Sequence, residues 1–238
     1  MNKRHIIYFL IILIIILYHY FKIKEIKKIS YWKKKNEKVL NECREGLEIV
    51  YNLIKSENKV LTAGTLLGAV RNKDIIPFDD DVDICVFGNT KEELNNILDS
   101  IMEEAKKKKK KIKCMKKYFG LKIIVEKSGI DIFPYILQEN KYVLYKKKAR
   151  EKWPKEYYLR NELKNLKKGY IDGKPYNICN NYEKVLKRFY GDTWKEQRIS
   201  HSHSLVFDNF HISNLTLDNI SIMYLPLILK LVNCNRVY

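Results

Sequence analysis

Proline and glycine are scarce, 5 and 9 in 238 residues, which excludes collagen-like and Gly/Pro-rich low-complexity chains. Cysteine is sparse and scattered. Cys43, Cys85, Cys114, Cys179 and Cys234 include no Cys-x-x-Cys pair and no neighbouring His at zinc-ligand spacing, which argues against a zinc site. Their odd number leaves at least one thiol unpaired, and most are expected to be buried structural thiols, Cys85 above all because it lies in an apolar run. Acids are also in the minority, 28 Asp and Glu against 46 Lys and Arg, for a net charge of +18. The excess is largely Lys mixed with Ile, Asn and Tyr, a compositional bias, so no nucleic acid is expected as a partner. What the chain does have is apolar residues, 46%, with 12% aromatics, enough for a sizeable core and against disorder.

Residues 6–21, IIYFLIILIIILYHYF, carry no Lys, Arg, Asp or Glu. At about 1.5 Å per residue they span roughly 24 Å as a helix, slightly short of a hydrocarbon core of roughly 30 Å, and Lys22 and Lys24 can snorkel. The run ends in Tyr-His-Tyr-Phe rather than the small residues a signal peptidase needs, which favours an uncleaved transmembrane anchor over residues 1–21. A basic stem over 22–38, a domain over 39–195 and a tail over 196–238 follow, and the chain is expected to be a single-pass membrane protein. Orientation stays open. Lys22, Lys24, Lys27, Lys28 and Lys33 to Lys35 outnumber Lys3 and Arg4, which keeps the domain cytosolic, whereas the sequons Asn214-Leu-Thr and Asn219-Ile-Ser are compatible with a lumenal domain.

Val39, Leu40, Cys43, Leu47, Val50 and Ile54 recur at helical spacing, which predicts an amphipathic helix leading into the domain. Helical segments at 91–105 and 157–168 alternate with strand-like runs at 75–87, 119–126, 129–137 and 142–145, an α+β or α/β pattern. The unbroken Lys106 to Lys111 reads as a solvated helix end and loop.

The stretch LTAGTLLGAVRNKDIIPFDDDVDICV, residues 61–86, carries the chemistry. Gly64-Thr65 precedes a helical TLLGAV, so N–H groups near a helix start can face an anion. Asp79, Asp80, Asp81 and Asp83 enter an apolar strand, whose alternation projects Asp79, Asp81 and Asp83 together and turns Asp80 and Val82 away. Such acids repel one another, and a divalent cation relieves the repulsion. Oxygen-only donors suit Mg²⁺ or Mn²⁺. Asp131 stands alone between Ile130 and Ile132, costly to bury unless paired, hydrogen-bonded or metal-bound, and is placed beside Asp81 and Asp83. Together the acids fit a metal-dependent phosphoryl or nucleotidyl transferase in which one carboxylate takes the proton of an attacking hydroxyl.

The block GTLLGAVRNKDIIPFDDDVDI resembles the signature of the LicD/fukutin family of phosphocholine and ribitol-phosphate transferases. GLKIIVEKSGIDIFPYIL fits the same family, as does YNICNNYEKVLKRFYGDTW, with Leu186, Tyr190, Gly191 and Trp194 at the motif positions. The resemblance covers about residues 39–195. It implies a polymerase-β-like nucleotidyltransferase fold of α+β class, a mixed sheet flanked by helices. It also implies transfer of a phospho-alcohol from a CDP-activated donor to a sugar hydroxyl of a glycan, in a domain facing the Golgi or ER lumen if eukaryotic. By motif position Asp81 and Asp83 hold the metal, Asp131 completes the site or acts as base, and Asp79 supports them. Gly64 and Thr65 cradle donor phosphate. Arg71 is either a phosphate contact or a structural salt-bridge partner.

Pro77-Phe78-Asp79 stands where relatives commonly have Pro-Trp-Asp. An inactive glycan- or lipid-binding relative and a nucleotidyltransferase of different donor specificity are the competing readings. In the tail, His201, His203 and His211 read as bystanders, and the apolar SIMYLPLILKLV is too short and broken by Pro226 for a second span.

Overall fold

The predicted helical stripe forms a helix over residues 37–53 (α1), and Leu40, Cys43, Leu47, Val50 and Leu53 on it are buried. The computed structural model describes residues 37–77, 79–108 and 112–195, plus the backbone of 198–200 and 210–212. The anchor, most of the stem, the sequons, Lys109–Lys111, His201, His203, Cys234 and the apolar tail lie outside the described residues. Among the described residues no helix is long and apolar enough to cross a membrane.

After α1 come β1 (Lys59–Leu61), α2 (Ala63–Arg71), β2 (Asp81–Gly88), α3 (Lys91–Lys107), β3 (Ile112–Lys116), β4 (Leu121–Val125), β5 (Ser128–Gln138), β6 (Lys141–Leu144), α4 (Lys147–Lys152) and β7 (Tyr157–Leu159). A single 3₁₀ turn (Arg160–Leu163), β8 (Lys167–Ile171), β9 (Lys174–Ile178), α5 (Tyr182–Tyr190), β10 (Arg198–Ser200) and β11 (Phe210–Ile212) complete the order. The described residues from Val39 onward belong to one compact unit.

The main sheet is mixed, in the order β1-β2-β5-β4-β3, with β6 pairing β5 and β7. β2 and β5 run parallel over eight register pairs, Asp81↔Gly129 to Gly88↔Ile136, and the other pairings are antiparallel. β5 is long enough to serve two partners in turn: 128–132 pair with β4, 135–138 with β6. Alternation sends Val82, Ile84, Ile130 and Ile132 to one face, all with no measurable exposure. α1 and α3 cover that face, since Gly46 abuts Ser128 and Ile130 and Gly88 abuts Leu94. The opposite face carries Asp81, Asp83, Gly129 and Asp131 at the strand starts, and farther along the aromatics Phe133 and Tyr135. Among the described strands β3 stands at the end of the sheet order, with exposed Lys113 and Lys116 along it.

Two expectations are corrected. The run at 75–87 is strand only from Asp81; before it, Arg44 binds Asp74 through two hydrogen bonds and Ile75 is buried, which holds 72–77 as a loop. The helix predicted over 157–168 does not form. Tyr158 pairs with Tyr142 of β6 and is fully buried, so pairing wins over helical propensity, and one 3₁₀ turn follows. Lys106 and Lys107 end α3 as expected, and β3 begins at Ile112, beyond the six-lysine run.

The turn after β7 is fixed by Glu162, which is 1% exposed. Its carboxylate accepts from the Leu159 N–H (2.7 Å) and from both terminal nitrogens of Arg188 (2.7 and 3.0 Å). Arg188 also donates to the Tyr157 carbonyl and lies 4.3 Å from the Tyr157 ring centroid. This pair fastens α5 to β7. Arg188→Met leaves a buried carboxylate without its counter-charge, and we expect a loss of about 3–5 kcal/mol, with much of it regained in Arg188→Met/Glu162→Met. Urea unfolding checks this, and equal stability of the single variant and the parent would refute the role.

Candidate active site

β2 and β5 start side by side, and their parallel register makes Asp83 and Asp131 direct neighbours. The antiparallel β4–β5 hairpin, turning at Glu126-Lys127, places Lys122 opposite Asp131. A row Asp83–Asp131–Lys122 therefore crosses three strands. The Lys122 ammonium is 3.0 Å from the Asp131 carboxylate.

α2 faces these acids with its N-terminus. The Thr65 hydroxyl, at the first turn, accepts from the Asp83 N–H (2.8 Å), and the Thr62 N–H donates to the Asp83 carbonyl (3.2 Å). Thr62 does not cap the helix with its side chain. Its hydroxyl is instead 2.6 Å from the Tyr158 hydroxyl, tying the helix start to β7. Ala63 enters α2 at φ 43°, a left-handed conformation that costs an alanine about 1 kcal/mol or more and persists here at the acid cluster. A side chain at Gly64 would lie 3.2 Å from the Asp79 carboxylate and 3.6 Å from that of Asp83, so the glycine leaves space for both acids against the helix start.

Asp79, Asp80 and Asp81 each place a carboxylate oxygen within 4.8 Å of the others. Asp80 thus joins its neighbours instead of pointing away. Alternation does not govern it, because the strand begins only at Asp81. Burial, then the charges of Asp81 and Asp80, push Asp79 well above the usual carboxylate range. Burial also raises Asp83, with Asp81, Asp79, Asp131 and Glu156 adding to the effect. Half-buried, mutually repelling oxygen donors fit a hard divalent cation such as Mg²⁺ or Mn²⁺.

Glu156, just before β7, carries no signal of its own in the sequence, where it sits in a Lys- and Glu-rich stretch. Burial pushes it up to about 7. Tyr190, at the end of α5, is also raised, first by burial and then by Glu156, Asp83 and Asp79, against Arg71. Gly191 (φ 88°) then turns the chain so that the Trp194 carbonyl accepts from Arg71 (3.3 Å). Arg71 also donates to Asn72 (3.1 Å), so these bonds are structural. A shallow cleft of about 200 Å³ beside the acids is lined by Asp80, Asp81, Lys122, Ile124, Lys127 and Gly129. The thiols of Cys43, Cys85 and Cys179 are buried and that of Cys114 half-buried, as expected of structural cysteines.

Clustered oxygen donors beside a helix N-terminus are chemically able to hold a divalent cation and an anionic group together, the combination that phosphoryl transfer uses. The family model for the LicD/FKTN/FKRP nucleotidyltransferase domain matches residues 58–181, a little over half the chain. The chain belongs to that family, and its domain is a transferase domain. Two uncharacterized Rickettsia proteins are similar to it. One, from Rickettsia prowazekii (strain Madrid E), is 32% identical over 128 residues, 50% of this chain and 45% of its own. The other, from Rickettsia typhi (strain ATCC VR-144 / Wilmington), is 32% identical over 130 residues, 50% of this chain and 38% of its own. The matched region spans less than half of either relative. The crystal structure of ANT(2″)-Ia in complex with adenylyl-2″-tobramycin aligns over 58% of this chain and 68% of its own, with 14% identity and TM-score 0.39.

A raised acid is fully stabilising only below its unfolded pKa. For Glu156 that stability is present below about pH 4.5 and lost as pH rises through about 7. In metal-free protein, Glu156→Gln should match the parent at pH 4.5 and exceed it by up to about 3 kcal/mol at pH 8. Urea midpoints across that range test this; parallel curves for the two proteins would sink it.

Proposed function

We propose that the domain transfers a phospho-alcohol, of phosphocholine or ribitol-phosphate type, from a CDP-activated donor to a sugar hydroxyl of a glycan. The observation that carries this reading is the cluster of Asp79, Asp81, Asp83 and Asp131 against the start of α2, within the family-matched region. Asp79, Asp81 and Asp83 would hold Mg²⁺ or Mn²⁺, which when bound neutralises the donor phosphates and the departing CMP.

The chain's own groups supply the rest. The sugar oxygen attacks the phosphorus bearing the alcohol, the bond to the CMP oxygen breaks, and CMP leaves with the bonding pair. A carboxylate of the cluster, Asp131 in this assignment, takes the hydroxyl proton. At the start of α2 the Thr65 hydroxyl is used by the Asp83 N–H. That hydroxyl accepts there and keeps its own O–H to donate, so donor phosphate would meet it together with backbone N–H groups around Gly64, at the positive end of the helix. Arg71 acts by holding α2 to the segment after α5 and by adding positive charge near Tyr190. The apolar 6–21 segment supports a membrane-anchored enzyme acting on glycans in the Golgi or ER lumen, if the source is eukaryotic.

CMP release by the full-length protein, with Mg²⁺ and each of CDP-choline, CDP-ribitol and CDP-glycerol, tests the reaction. Asp83→Asn should lower turnover by about a thousandfold or more while keeping the fold, because charge at the metal is lost. Pyrophosphate as the product would identify a nucleotidyltransferase of another specificity. No release from any donor, or near-parental turnover by Asp83→Asn, would overturn the assignment.

A further inference from the structure

The Lys122 ammonium forms an ion pair that reaches into the acid cluster, and no catalytic assignment above uses it. Three observations converge on it. The β4–β5 register sets it directly opposite Asp131, and its ammonium is 3.0 Å from that carboxylate. Its path crosses Gly129, where an added Cβ would lie 3.0 Å from Lys122 Cε and 3.1 Å from Nζ. It also lines the cleft together with Asp80 and Asp81, and its side chain is only 29% exposed. Asp83 and Asp131 both lie outside the group of Asp79, Asp80 and Asp81 whose oxygens are within ligand-sharing distance of one another, but Asp83 shares the space at Gly64 with Asp79, whereas Asp131 is paired with Lys122.

We propose that Lys122 is a positioning residue, a tethered counter-charge that fixes the Asp131 carboxylate and withholds it from a divalent cation, and that Gly129 is the opening that admits it. The chain thereby divides its acids: Asp79 to Asp83 remain for the cation, and Asp131 is held toward the reacting hydroxyl. The proposal rests on the phosphotransfer reading for its catalytic consequence, though not for its effect on cation binding.

Two properties should move in opposite directions in Lys122→Met. Removing a positive charge next to the acids should tighten Mn²⁺ binding to the full-length protein by about tenfold or more, read by calorimetry. CMP release should fall by about a hundredfold in kcat with KM for the donor little changed, because Asp131 is no longer held. Lys122→Arg should recover part of the turnover. Gly129→Ala provides a variant with the lysine in place. Its methyl group meets only the flexible end of Lys122, so the fold stands while the ammonium is displaced, and Mn²⁺ affinity should shift as in Lys122→Met. The same change made in Lys122→Met should add nothing further.

Unchanged or weaker Mn²⁺ binding in Lys122→Met, or full additivity of the two substitutions, would overturn the proposal. If the parent releases no CMP but the Mn²⁺ cycle behaves as described, the reaction assignment fails and the role of Lys122 stands.

Discussion

Holding like charges together is the constraint on which the rest of this domain depends. Asp79, Asp80, Asp81, Asp83 and Asp131 converge on one region, with Glu156 close enough to raise Asp83. Left to themselves these groups would move apart or take up protons. The backbone prevents the first outcome. Asp83 and Asp131 sit on neighbouring parallel strands with the longest continuous register in the sheet, and the Asp83 peptide is gripped on both sides by Thr62 and Thr65. Beneath them lies a dry face of Val82, Ile84, Ile130 and Ile132 packed under α1 and α3, which ties strand displacement to core disruption.

The surrounding elements are braced against the same cluster from several directions. Tyr158 joins β7 to the start of α2 through Thr62. Arg188 and Glu162 join α5 to β7, bringing Tyr190 to the site. Arg71 joins the far end of α2 to the Trp194 carbonyl. Each brace is polar and partly shielded from water, and each ends on an element that also carries a site residue. Stability and function are therefore written in the same side chains here, which is expected where a fold must support an electrostatically costly centre.

Much of this was legible in the sequence, and the failures have definite causes. The α1 stripe shows itself because a helix with one buried face must repeat its apolar residues. The pairing of Asp81 and Asp83 with Asp131 was legible because an acid inside an apolar strand needs a reason to be there. The 157–168 segment misled because its short strand draws its partner from β6, a pairing that local composition does not encode. Glu156, just ahead of that segment among Lys and Glu residues, has no signal of its own. Lys122 was within reach: with a two-residue turn at Glu126-Lys127, counting outward from Val125↔Ser128 arrives at Lys122↔Asp131. Its significance also needs Gly129, and an absent side chain has no signal of its own.

The exposed lysines of β3 carry a consequence beyond the site. An end strand offers unpaired backbone groups to any extended peptide, including the same strand of another copy emerging from synthesis. Lys113 and Lys116 on that strand, continuous with the cationic end of α3, make the approach of a second such edge electrostatically unfavourable. The lysine bias that says so little about binding thus lines the last strand of the described sheet with like charge, which opposes edge-to-edge stacking of two copies.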